Sequence, residues 1–192
     1  ALALLRDLGS IAIILLLAVS ALYIATGRAR FVAGGIALLA ATGVIGYFVF
    51  GHVQVRIDTW LDPGADPGGS GYQSMQATYS IQAGGITGEG LGLGEPGTVP
   101  AAATDYVYTA IAEELGLAGA AGIALLYVVF LYAGLRVAAE APDTYGRLLA
   151  AIIALLIAIQ AAVIIAGNLR IIPTTGITLP FVSYGGSSLV VN

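Results

Sequence analysis

The chain has 192 residues, 58% hydrophobic and 9% charged, with mean hydropathy +0.94; a soluble domain runs to roughly 45–50% apolar and 25% charged, so a water-soluble globular fold is excluded. A net charge of −4, with all seven basic residues arginine, argues against a nucleic-acid partner. No cysteine is present, which removes disulfides, thiolate metal sites and a cysteine nucleophile.

Four stretches carry no charged residue, Leu8 to Gly27, Phe31 to Gly51, Leu115 to Leu135 and Leu148 to Leu169. Each is close to the ~20 residues that cross a ~30 Å hydrocarbon core. The sequence predicts an all-α polytopic membrane protein: four full transmembrane helices, the start of a fifth at "SSLVVN", and a long outer loop within a single membrane domain, residues 1–192. The first span has no basic n-region or small-residue cleavage site and more spans follow it, so it is no cleavable signal. An opening without methionine at "ALALLRDLGS" and a close inside an apolar run are the expectation for a piece of a longer protein.

Arginine sets the expected orientation. The turn "GRAR" carries Arg28 and Arg30 and the connection "RVAAEAPDTYGR" carries Arg136 and Arg147, whereas residues 52–104 hold one basic residue, Arg56. The short loops are therefore expected inside, and the long loop and "RIIPTTGITLPFVSYGGSS" outside. That loop is 53 residues with 11 glycines and four prolines, and loops beyond about 15 residues are usually functional or disordered. Trp60 and the spacing of Tyr72, Met75 and Tyr79 in "YQSMQATYSIQA" favour order: a short helix lying apolar side down at headgroup depth.

A helix is expected to start near Thr104, putting Asp105 in its first turn, where free N–H groups and the helix dipole favour an anion. The plain reading is a cap by Thr104 or Asp105. Along such a helix Asp105 and Glu113 stand ~80° and about 12 Å apart, and Glu114 faces away from Asp105; the three form no carboxylate pair. Two turns deeper, Glu113 and Glu114 would cost some 2.5–3.5 kcal/mol each in lipid, so they are expected to be structural or to face a cavity.

The glycine run "GGITGEGLGLG" lacks a following lysine and a strand–turn–helix context, and reads as a tightly turning loop rather than a phosphate loop. "SYGGSS" suits either an anion nest or close helix packing. Arg170 beside it can meet a pyrophosphate bidentately or snorkel. His52 has no partner at metal-ligand spacing, and no metal site is assignable from the sequence.

These segments strongly resemble the SEDS family typified by FtsW, RodA and SpoVE. The resemblance rests on "DLGS" at Asp7, "WLDPGADPGGSGYQ" at Trp60, "GGITGEGLG" at Gly84, "TDYVYTAIAEELGLAG" at Thr104 and "IPTTGITLPFVSYGGSSL" at Ile172, in order along the chain. It implies a ten-helix fold of which this is roughly the second half, inactive by itself, in the cytoplasmic (inner) membrane with its active site facing outward. The implied activity is a peptidoglycan glycosyltransferase that polymerises lipid II, and the implied partners are lipid II, undecaprenyl-linked glycan, membrane lipids and a class B penicillin-binding protein. The family's essential acid falls on Asp105, as general base. Candidate substrate contacts are Tyr72 and Gln73, Gly84 and Gly85, Thr104, Thr174 and Thr175, and Ser183, Gly185, Gly186 and Ser187 on the matching segments, with Arg170 just before the last of them. Countercharge for a leaving pyrophosphate would come from arginine or a divalent cation.

The chain departs from the family where Ala101, Ala102 and Ala103 replace an acid and a histidine, and where Tyr106 replaces Phe. Two other functions fit the composition, a lipid II flippase working through the glycine-broken segments and a non-catalytic scaffold for a transpeptidase.

Overall fold

The computed structural model describes residues 8–184, so Gly185, Gly186, Ser187 and the start of the fifth span lie outside the described residues. Those described are helical, with no strand among them. The order is α1 Leu8–Thr26, α2 Ala29–Val49, α3 Gly51–Leu61, α4 Tyr72–Gly84, α5 Val107–Glu140 and α6 Thr144–Asn168. Helices α1, α2, α5 and α6 are long and apolar enough to cross a membrane, which bears out the four spans. The protein is a multi-pass membrane protein.

Helix α6 packs against both α5 and α1, and α1 against α2. Small residues allow the approach: a Cβ on Gly134 of α5 would run into Ala154 of α6, the close backbone contact that drives helix association where lipid removes the hydrophobic incentive. Residues 52–104 are ordered around α3 and α4. The predicted α4 exists, but the face it buries is the small-residue stripe Ser74, Ala77, Ser80 and Gly84. Tyr72 and Tyr79 are 40% and 52% exposed. Small side chains win the protein contact because α4 lies close on α5: a Cβ at Gly84 would collide with the Ala112 carbonyl.

Helix α5 spans 34 residues but is broken at Gly116, whose φ of 68° and ψ of −169° are open essentially to glycine alone. A break inside a span strands backbone groups, each costing several kcal/mol if left unpaired in lipid. The glycine-rich run repairs it. Glu89 N–H donates to Glu113 O and Gly90 N–H to Glu114 O, both at 3.0 Å, while Leu117 N–H and Ala118 N–H donate to Gly85 O and Ile86 O at 2.9 and 3.3 Å. The run is therefore a packed strap. Beyond the break, Leu117–Glu140 is about 36 Å long, enough for one crossing.

After α6 the chain runs irregularly back along that helix, so that Gln160 Nε2 reaches Thr178 O at 2.9 Å and Tyr127 of α5 donates to Pro180 O. Leu179 is fully buried against Ala161 and Ile164. Non-helical backbone at such a place must find its partners inside the protein, and here side chains of α5 and α6 supply them.

Gly116→Ala puts a Cβ into the strap backbone and forces a left-handed φ on an alanine. It should cost at least ~2 kcal/mol, seen as a lowered thermal unfolding midpoint of the detergent-solubilised protein.

Candidate functional site

Helix α5 starts at Val107, later than the sequence suggests. Residues 101–106 form a tight turn in which the Ala101 carbonyl accepts from the N–H groups of Thr104, Asp105 and Tyr106 at 3.0–3.2 Å. The next carbonyls are taken by distant donors: Ala103 O by Tyr184 N–H at 2.8 Å, Thr104 O by Ser183 Oγ at 2.6 Å, and Asp105 O by Asn168 Nδ2 at 2.9 Å. With its acceptors engaged elsewhere, this stretch cannot join the helix. The expected cap by Thr104 or Asp105 is therefore absent. Tyr106 occupies the N-cap without a side-chain bond, and Asn168 of α6 caps from outside, its Oδ1 accepting from Thr109 N–H at 3.3 Å and Thr109 Oγ1 at 3.1 Å.

The turn faces a cavity of about 180 Å³. Asp105, Arg56, Arg170, Gln73, Thr174 and Thr175 all line it, and Asn168 and Trp60 complete the wall. Arg56 of α3 donates through Nη1 to Thr175 O at 3.0 Å and Thr174 O at 3.4 Å. Gly176, at φ 73°, stands between the carboxylate and the guanidinium: a Cβ there would lie 3.5 Å from Arg56 Nη2 and 3.8 Å from Asp105 Oδ2. Arg56 and Asp105 flank this glycine without closing into an ion pair; among the described residues that contact occurs only between Arg136 and Glu140 on α5. Trp60 Nε1 donates to Arg170 O and Arg170 Nη2 to Trp60 O, each at 2.9 Å. This reciprocal pair fixes α3 to the end of α6 and leaves the buried Nε of Arg170 without a partner.

Burial raises the Asp105 carboxyl above its usual value, with a Thr104 side-chain hydrogen bond and the Arg56 charge opposing the shift. A partly desolvated carboxylate is a better proton acceptor than one in water. One carboxylate facing two guanidiniums is a poor donor set for a resident divalent ion, and no group of three or more His, Cys, Asp or Glu residues placed to hold a metal occurs among the described residues. The arrangement suits an anionic ligand carrying a hydroxyl to be deprotonated.

Several sequence candidates stand elsewhere. Ser183, buried, uses its hydroxyl to hold Leu179 N–H and Thr104 O, so it shapes the turn from behind. Thr104 donates to Ala101 O. Gly84 and Gly85 pack on α5, and Tyr72 does not line the cavity, because the face of α4 next to the cavity presents Gln73 and Ser74. Glu113 is buried, its Oε1 accepting from Glu95 N–H at 2.9 Å and its Oε2 unpartnered; it secures the strap. Glu114 is half-buried, and neither acid reaches the cavity. His52 packs near Phe50, ring centroids 5.6 Å apart. Sequence reasoning passed over Arg56 and Asn168. Arg56 could have been suspected as the one cation of the long loop, one helical turn before Trp60; Asn168 gave no signal.

Residues 1–192 match the FtsW/RodA/SpoVE family profile, described as "Cell cycle protein". The chain is 46% identical over 187 residues to "Peptidoglycan glycosyltransferase RodA" of Mycobacterium tuberculosis (strain ATCC 25618 / H37Rv), over 97% of this chain and 40% of that protein. It is 40% identical to "Stage V sporulation protein E" of Bacillus subtilis (strain 168), over 95% and 50%. A chain in a solved structure described as "Structural coordination of polymerization and crosslinking by a peptidoglycan synthase complex" superposes with a TM-score of 0.78 at 29% identity, covering 98% of this chain and 53% of that one. The chain spans about half the length, or less, of these curated relatives.

Asn168→Leu would leave Asp105 O and the buried Thr109 Oγ1 without their partner, while Thr109 N–H keeps the Tyr106 carbonyl at 3.0 Å. Unfolding measured by thermal shift should show a loss of roughly 2–3 kcal/mol, whereas an exposed change on the same helix, Ile153→Ala, should stay within about 0.5 kcal/mol.

Proposed function

The chain belongs to the FtsW/RodA/SpoVE family of cell cycle proteins, and from that premise we propose that its site works in a peptidoglycan glycosyltransferase that polymerises lipid II at the outer face of the cytoplasmic membrane. The observation that carries this reading is Asp105: a partly buried carboxylate at the wall of a polar cavity, facing Arg56 across Gly176 yet bound to no cation.

In the proposed step the acceptor sugar's hydroxyl oxygen attacks the anomeric carbon of the donor. The anomeric C–O bond to the pyrophosphate breaks, the leaving polyprenyl pyrophosphate keeps the bonding pair, and the hydroxyl proton passes to Asp105. Arg56 and Arg170 supply the countercharge for the departing pyrophosphate, since developing negative charge is stabilised most by donors already in place. We assign this task to the guanidiniums rather than to a divalent ion. Arg28 between α1 and α2, Arg30 in the first turn of α2, Arg136 near the end of α5 and Arg147 in the first turn of α6 stand at the ends of the spans away from the cavity, which favours an outward-facing site by the positive-inside rule. The superposition on a chain from a peptidoglycan synthase complex supports a transpeptidase of the class B penicillin-binding type as partner. The reading covers cell elongation or division alike.

Asp105→Asn in the full-length protein should cut lipid II polymerisation by about 10²–10⁴-fold in a reconstituted gel assay. The variant should remain folded and be at least as stable near neutral pH. The sign follows from the raised pKa: the ionised aspartate is disfavoured in the folded state, so the stability it gives at low pH is lost as pH rises through its folded pKa, and an asparagine has no such loss. Unchanged polymer yield would remove Asp105 as base and favour a scaffold.

Because Asp105 must be ionised to act, the rate should fall as pH drops through its raised pKa. Arg56→Gln removes a charge that lowers that pKa; the acidic limb of the pH–rate profile should then move to higher pH, which a merely structural arginine would not produce.

A further inference from the structure

The backbone around Asp105 is held from two sides. A residue's φ and ψ are the settings of the two peptide planes that meet at its Cα. The plane before Asp105 carries Thr104 O and Asp105 N–H; the plane after it carries Asp105 O and Tyr106 N–H. On the inner side everything converges on one oxygen, since Ala101 O accepts from Asp105 N–H and Tyr106 N–H at 3.1 and 3.2 Å and also from Thr104 N–H and Thr104 Oγ1 at 3.0 and 3.2 Å. A carbonyl offers two lone pairs, so these donors share it and each is held weakly. The outer contacts are shorter: Ser183 Oγ donates to Thr104 O at 2.6 Å and Asn168 Nδ2 to Asp105 O at 2.9 Å.

Ser183 is 1% exposed and lines no part of the cavity, so it does not touch a ligand there. Leu179 N–H donates to its Oγ at 2.8 Å. Because Leu179 N–H can only donate and Thr104 O can only accept, the hydroxyl proton points at Thr104, and the two bonds polarise each other. The next residue joins the grip, Tyr184 N–H taking Ala103 O at 2.8 Å. The segment that carries both is itself fixed, with Leu179 fully buried and Tyr127 of α5 donating to Pro180 O. We infer that Ser183 is a positioning residue: by fixing the peptide plane ahead of Asp105 it aims the carboxylate into the cavity, where the attacking sugar hydroxyl must come within hydrogen-bond reach. The inference rests on the glycosyltransferase reading. It replaces the direct substrate contact that the family resemblance implies for Ser183 with a role exerted through Asp105. Misplacing a reacting group by about 1 Å can cost ~10²-fold in rate, so a hydroxyl behind the site can matter as much as one inside it.

The test uses the full-length protein reconstituted in vesicles, with Ser183→Ala read in two ways. The first is turnover of lipid II: kcat should fall about 10–100-fold while KM stays within about twofold. The second needs no turnover. A carbodiimide couples to a protonated carboxyl, so its labelling of Asp105, followed by mass spectrometry across pH, reports that group's own titration. Burial raises the Asp105 pKa, and the other ionisable groups on the cavity wall, Arg56, Tyr106 and Arg170, are untouched by the substitution. A turn released from Ser183 admits water to the carboxyl, so the labelling midpoint should move to lower pH. Where Ser183→Ala fails to fold, Ser183→Cys, of similar size but a weak donor and acceptor, carries the test with smaller changes in the same directions. An unmoved midpoint in the folded variant overturns the assignment. So does an unmoved kcat where Asp105→Asn is inactive, or a raised KM with kcat kept, the mark of a substrate contact. The two readings fail apart. A moved midpoint beside an Asp105→Asn protein that still polymerises removes the base and keeps the grip on the turn; midpoint and kcat both unmoved beside an inactive Asp105→Asn protein remove the grip and keep the base.

Discussion

One buried amide holds the site together. Asn168, at the last turn of α6, donates to the backbone carbonyl of Asp105 and to Ile164 O, and accepts from the backbone and hydroxyl of Thr109. It does for α5 what a capping side chain does locally, but from another helix, and in the same contact sets the height of the Asp105 turn against α6. Asparagine suits the place because it offers donor and acceptor together and carries no charge, so full burial leaves nothing unsatisfied. An aspartate would keep only the acceptor, and would bring a second negative charge beside the first.

Around that contact the protein solves one recurring problem, irregular backbone next to a membrane. Two stretches leave helical geometry, the break at Gly116 and the segment after α6, and each is answered by donors or acceptors from elsewhere in the chain. The strap of residues 85–90 restores the pairing at the break. Arg56, Gln160 and Tyr127 serve the carbonyls of the returning segment. What remains after both are satisfied is a polar chamber whose acid is in no ion pair. Burial in the wall of that chamber raises the Asp105 pKa, and the nearby Arg56 charge offsets the rise only in part. Reactivity and a small cost to stability come from one arrangement.

Much of the architecture could be read from residue order. Charge-free runs of about 20 residues fix the spans because a charge in lipid costs more than local preference can return. The glycine run read as a turning loop has that role, and Asp105 lines the polar cavity. The misreadings share a cause. A helix start at Thr104 and a tyrosine-side-down α4 are both sound inferences from local spacing. In each case a distant element overruled them: Asn168, Ser183 and Tyr184 took the carbonyls that would have extended α5, and the close approach of α5 selected the small face of α4.

The amino-acid sequence by itself determined the membrane-spanning character, the four spans among the described residues and the family pattern, because these depend on hydropathy and on motifs contiguous in the chain. Only the tertiary structure decided which groups meet Asp105. Arg56, Asn168 and Gly176 come from three separate segments, and no local pattern shows that they meet around one acid. Their roles arise from hydrogen bonds and close approaches across more than 60 residues of chain, and such pairings are set by packing geometry rather than by any periodicity along the backbone.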